Sequence, residues 1–308
     1  MPTSPQRWLV PTAFVCVYFF WGSTFVAIRY GVQFLSPLLL SGIRYMLAGL
    51  VLLAIVRLRG HSLRISRREL LRAAIIGMLM LTGNNVLLGY AEQSITAGYA
   101  ALLTASVPLL VAVFESVIPG GIPLNRIGWL GTVIGIGGLL LLLAPVLRHG
   151  LVVHGSGAAA DHALTVGTLI LLVGIATWVV GSLISGRYPS RIDPFVGAAW
   201  QMTLAGTVNM LLGTAIGGLA TAHWTTGLLV AIAWLTVFGS LVGFTAYTYL
   251  LHHAPVAKVA TYAYVNPVVA VALSAVFLHE SLHGSQWIAM AIILVAVAIV
   301  TASKAKTS

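Results

Sequence analysis

Ser36-Pro37-Leu38 followed by Leu47-Ala48-Gly49 recurs as Asp193-Pro194-Phe195 followed by Leu204-Ala205-Gly206, at one constant shift of 157 residues. Trp21 and Trp178 share that shift. Further on, Tyr90 with Val107-Pro108 recurs as Tyr249 with Asn266-Pro267 at a shift of 159, so the correspondence runs through most of each half with a small change of length between. Working outward from these repeats, apolar stretches near the length of about 20 residues that a spanning helix requires lie at 8–30, 36–56, 69–91, 96–118 and 126–147, then at 165–186, 194–220, 226–250, 255–279 and 283–303. The expected fold is all-α and integral to a membrane, with ten transmembrane helices as two five-helix repeats, 1–150 and 151–308. An odd number of spans per repeat makes the second enter the bilayer from the opposite face. Such inverted repeats are typical of transporters, because two related halves that exchange conformations expose a midplane site first to one side and then to the other.

Composition agrees. Of 308 residues, 59% are hydrophobic and 7% charged, a balance that an ordinary water-soluble domain does not show. The net charge of +10 does not mark a nucleic-acid partner, because the sixteen basic residues sit between apolar runs rather than on one face with interleaved aromatics. They carry topology instead. With the amino terminus in the cytoplasm, Arg7, Arg57, Arg59, Arg64, Arg67, Arg68, Arg72, Arg126, Arg187, Arg191, Lys258, Lys304 and Lys306 fall at or near cytoplasmic ends, and only Arg29 and Arg148 fall outside. Both termini are expected inside, with the first apolar run retained as a span. Residues 148–164, rich in Gly, Ala and His, form the expected linker between the halves. Cys16 is the only cysteine, which leaves neither a disulfide framework nor a cysteine-ligated metal site.

Trp21-Gly22-Ser23-Thr24-Phe25, the stretch from Ser36-Pro37 to Arg44, and Thr261-Tyr262-Ala263-Tyr264-Val265-Asn266-Pro267-Val268-Val269-Ala270 with Glu280 and Gln286-Trp287 resemble the drug/metabolite transporter superfamily in its ten-span form with two EamA domains. The resemblance covers essentially the whole chain and specifies fold better than substrate. It implies export of amino acids, aromatic ones among them, or of related metabolites from a bacterial-type inner membrane. The implied cavity is lined by the first four helices of each repeat, with the fifth helices peripheral or at a dimer contact, so that the molecule is a monomer or homodimer. One departure is visible: a glycine-glutamate pair frequent in the family after the fourth span is replaced by Ile118-Pro119-Gly120-Gly121.

Polar residues within spans are expensive to bury and mark solute paths or interhelical glue. In the ninth span Lys258, Tyr262 and Asn266 recur every four residues, on one helical face. The seventh span repeats the spacing with Gln201 and Asn209 around Ala205, and the third carries Asn84 and Asn85 beside Gly83. Arg44 is the one basic residue well within a span; it suits a substrate carboxylate or, equally, helix-end carbonyls. The candidate solute-binding set is Trp21, Ser23, Thr24, Arg44, Asn84, Asn85, Tyr99, Trp178, Gln201, Lys258, Tyr262 and Asn266, with Pro108 and Pro267 as bending points. The chain is expected to be no enzyme and to need no cofactor or metal; its partners are a small-molecule solute and the lipid bilayer. One motif dissents: His279-Glu280-Ser281-Leu282-His283 matches H-E-x-x-H, which on a helix would place two imidazoles one turn apart to bind zinc in an intramembrane metalloprotease. The match falls at the junction of two spans, and no span supplies an aspartate as third ligand. A lipid translocase is the other alternative.

Overall fold

The computed structural model describes residues 6–119, 121, 123–149, 158–188, 190, 192–254, 259, 261–282 and 284–305. Among them no strand occurs, and nine helices are long and apolar enough to cross a membrane. These are α1 (Trp8–Gly31), α2 (Pro37–Leu58), α3 (Arg67–Ala91), α4 (Ala97–Val117), α5 (Arg126–Leu147), α6 (Asp161–Arg187), α7 (Pro194–Ala215) and α8 (Thr226–Leu250), with α10 (Gly284–Ser303) after the shorter α9 (Tyr262–Phe277). The chain is an all-α membrane protein. Three bounds differ from the sequence-based expectation, the first being that α9 begins at Tyr262, after a turn at Thr261, rather than near 255. Helix α6 begins inside the expected linker, with Asp161 in its first turn, and α7 ends at Ala215, before the turn in which Gly217 takes a φ of +78°. The remainder of the expected linker, 150–157, lies outside the described residues, as does Pro255.

Local chemistry explains where the helices start. Proline stands at the first position of α2 and α7, where its missing N–H would be unpaired in any case. The preceding residue caps each: Ser36 Oγ accepts from Leu39 N at 3.4 Å, and Asp193 Oδ1 accepts from Phe195 N at 2.8 Å and Val196 N at 3.2 Å. Ser66, Thr96 and Thr225 cap α3, α4 and α8 in the same way. Three helices contain wide π-helical turns, at Val17–Trp21 in α1, Met78–Asn84 in α3 and Leu235–Val242 in α8. The last two begin 157 residues apart, the shift of the sequence repeat. Helix α4 is broken by a turn at Ala105 and Ser106, with Pro108 opening its second part. Pro267 lies inside α9.

The chain forms two compact units, one of Met1–Val26, Ser94–Leu172 and Ala246–Ser308, the other of Ala27–Gln93 and Val173–Thr245. The second unit is built on α2 and α7, which run antiparallel with their backbones nearly touching: a Cβ on Gly49 would stand 2.6 Å from Thr203 N, and one on Gly206 2.7 Å from Met46 Cα. These are a single contact made twice. Shifting Gly49 forward and Thr203 back by 157 residues yields Gly206 and Met46, so the interface is self-complementary in the way of a twofold pair. Around it, Leu52, Val56, Val196, Ala198 and Ala199 form a buried apolar cluster.

The first unit contains a second such pair, α5 and α10. Gly135 faces Ala296 and Gly138 faces Ile293, and a shift of 158 exchanges one contact for the other. The glycine side of α5 allows this approach; its other side carries exposed Ile127, Leu130, Val133, Ile136 and Leu140. Within lipid there is no hydrophobic gain in bringing helices together, so small residues that allow close van der Waals contact decide which faces pair.

Candidate functional site

In the first unit, two of the expected residues, Trp21 and Tyr262, meet in an aromatic cluster with Tyr247. The Trp21 ring lies 5.1 Å from that of Tyr247 and 5.1 Å from that of Tyr262, the latter edge-on at 87°. Tyr247 and Tyr262 are 5.8 Å apart, again edge to face, an arrangement that aligns ring edges with π faces. Gly22 makes this possible, since a Cβ there would sit 2.7 Å from Val269 Cβ. The Asn266 amide nitrogen, oriented toward its two acceptors, donates to the carbonyls of Tyr18 at 3.1 Å and Tyr262 at 3.2 Å. The Tyr18 hydroxyl is hydrogen-bonded to that of Thr261. Ser23 and Thr24, by contrast, direct their hydroxyls to the backbone carbonyls of Phe20 and Trp21 at 2.8 and 2.6 Å. Tyr99 is buried, with its hydroxyl donating to Leu142 O at 3.4 Å. Lys258 lies outside the described residues.

In the second unit, a polar layer lies directly beside an apolar one. Tyr45, Ala48 and Met202 pack with Leu81, Leu241 and Phe244, joining α2, α3, α7 and α8. Arg44, beside Tyr45, is 6% exposed; its Nε donates to Ser240 Oγ at 2.9 Å, and its guanidinium carbon stands 4.7 Å from the Tyr45 ring centre. Thr236 is one turn before Ser240. Asn209 is two turns beyond Met202 on an antiparallel helix, and Asn84 is one turn beyond Leu81, so all three fall on the same side of the apolar layer. Each is at least nine-tenths buried, and each has side-chain atoms without a partner: Asn84 Nδ2, both amide atoms of Asn209, and Thr236 Oγ1. Orphaned polar atoms at that depth cost about 1–3 kcal/mol each unless water or a ligand meets them. Of the other expected residues, Asn85 donates to Met80 O at 3.1 Å, while Trp178 and Gln201 are half-buried.

Of the residues singled out from sequence, Trp21, Tyr262, Asn266, Arg44 and Asn84 fall in these two groups. Tyr18, Tyr247, Thr236 and Ser240 are not among those singled out, being ordinary residues of apolar runs that stand out only by what faces them. The zinc alternative is corrected: residues 278–282 are not helical, because α9 ends at Phe277 and His279 adopts a left-handed φ of 55°. The spacing therefore does not place two imidazoles on one helical face, and His283 lies outside the described residues. Among the described residues no group of three or more His, Cys, Asp or Glu is placed to hold a metal. Glu280 has a structural task, accepting the Ala97 N–H at the start of α4 at 2.9 Å. It also borders a cavity of about 250 Å³ walled mainly by Val268, Val271, Ala272 and Trp287, which none of the candidate residues lines.

Known proteins place this architecture. A solved crystal structure matches the fold with a TM-score of 0.65 at 19% identity, over 98% of this chain and 99% of the other. The inner membrane transporter YedA of Escherichia coli, named as uncharacterized, is 35% identical over 97% of this chain and 93% of its own length. The transporter YvbV of Bacillus subtilis, likewise named as uncharacterized, is 26% identical over 93% of this chain and 90% of its own. The model of the EamA-like transporter family matches residues 9–144 and again residues 165–302. This chain belongs to the EamA-like transporter family and is a membrane transporter, not an enzyme.

Proposed function

We propose that this protein moves small organic solutes, amino acids and related metabolites above all, out across a bacterial-type inner membrane by alternating access of two inverted repeats, with both termini cytoplasmic. The observation that carries the reading is the exchange of Gly49–Thr203 for Gly206–Met46 under the 157-residue shift. A contact that maps onto itself between antiparallel helices is what inverted repeats produce, and such repeats support rocking of one half against the other around a central site. The matched π-helical turns in α3 and α8 add to this, since wide turns of this kind are frequent at functional positions. Within the second unit, Arg44 and Asn84 beside the apolar layer of Tyr45, Ala48 and Met202 suit a solute that is itself part polar and part apolar.

The experiment is a flux panel. Purified protein in liposomes is offered amino acids and related metabolites, with and without a pH gradient. Saturable uptake of one class identifies the cargo, and its response to the gradient establishes whether protons are coupled. Absence of flux across the panel would remove the amino-acid reading.

A further inference from the structure

The polar layer of the second unit has an unbalanced charge. Arg44 is the only buried basic side chain among the described residues. That unit contains three acids, and none reaches it within 4 Å. Glu69 pairs with Arg72 at 3.7 Å and accepts from Ser190 at 2.8 Å; Asp193 caps α7; and the backbone carbonyl of Glu92 accepts from Arg29. Arg44 has one hydrogen bond, from Nε to Ser240, so among the described residues its two terminal nitrogens face no acceptor. The guanidinium also lies over the Tyr45 ring, which covers one face and leaves the terminal donors available, and three orphaned polar side chains share its level.

We infer that this layer is a carboxylate subsite, in which the two terminal nitrogens of Arg44 take the carboxylate of a small monocarboxylic solute side by side. This inference rests on the transport reading above and names the group on the solute that is recognised. Paired N–H donors in a planar fork match the two oxygens of a carboxylate. A single buried cation balances one negative charge, which favours a monocarboxylate over a phosphate dianion. Ser240 engages Nε and so leaves both terminal nitrogens to a ligand. Asn209 and Thr236 then offer acceptors to an ammonium or hydroxyl elsewhere on the solute, and Asn84 offers a donor. Amino acids satisfy this pattern, and their decarboxylated amines do not.

The test compares counterflow into proteoliposomes of two matched series, phenylalanine and leucine against phenethylamine and isoamylamine, for four proteins: wild type, Arg44→Lys, Arg44→Gln and Ser240→Asp. Wild type should carry the acids and exclude the amines. Arg44→Gln should raise KM for the acids roughly thirtyfold or more, with Arg44→Lys between. Ser240→Asp supplies a fixed carboxylate beside the guanidinium, so it should raise the thermal transition in detergent while abolishing carriage of the acids, and it reads the site even if Arg44→Gln fails to fold. Wild type that prefers the amines, or a folded Arg44→Gln or Ser240→Asp with unchanged KM for the acids, overturns the subsite and leaves transport standing. No flux of either series removes the amino-acid reading and the subsite together.

Discussion

Two single residues show how the loop between α9 and α10 is held. His279 adopts a backbone conformation that Cβ-bearing residues disfavour, in a loop whose next residue returns a hydrogen bond from Glu280 N to Ser274 O at 3.2 Å. His279→Gly should therefore stabilise the protein by about 0.5–1 kcal/mol, read as a higher thermal transition in detergent. A metalloenzyme reading, in which His279 is a ligand, predicts loss of bound zinc instead. Glu280 bonds the first N–H of α4 through its carboxylate, which is stronger than a neutral cap. Glu280→Ala should lower stability by about 1–2 kcal/mol. An unchanged melting curve would show that the cap contributes nothing. The glutamate that the family resemblance singled out thus has a helix-end partner, and at the corresponding turn of the first half Ile118-Pro119-Gly120-Gly121 has no acid to supply one.

At the scale of elements, glycines divide by what surrounds them. Gly206 lies where α7 meets the α2 backbone, so a methyl group there must push the helices apart; Gly206→Ala should destabilise by about 1–3 kcal/mol. Gly137, one residue away from the packed side of α5, has open space where a Cβ would stand. Gly137→Ala should gain about 1 kcal/mol from helix propensity alone. Thermal transitions of the two variants should move in opposite directions, and equal shifts would mean that the α2–α7 approach is not decided by Gly206. The sequence identified Leu-Ala-Gly as a repeated string. That the two glycines make the same contact from opposite sides emerges only when the helices lie together.

For the whole molecule, the proposed inverted arrangement predicts topology. Single cysteines at Arg64 and Lys304, introduced after Cys16→Ser, should react from the same side of the membrane in oriented vesicles. Labelling from opposite faces would require an odd number of spans between them and take the proposed mechanism with it. The number and order of the spans were legible because each must offer about 20 apolar residues to lipid, a requirement written locally in the chain. Helix starts were legible for a similar reason: Ser36-Pro37 and Asp193-Pro194 act on their own next turn.

The sequence by itself determined a membrane protein of ten apolar segments in two related halves, with most of its family signature on α1, α2 and α9. Tertiary structure alone decided that Trp21 meets Tyr247 and Tyr262, and that Asn266 bonds the backbone of a helix more than two hundred residues earlier. It alone revealed that Arg44 reaches Ser240 but no carboxylate. The division has one physical cause. Burial in lipid and helix capping are settled within a single turn or span, whereas the partner of a buried charge or ring depends on which helices pack, and that is fixed by the fit of glycine-bearing faces far apart in the chain.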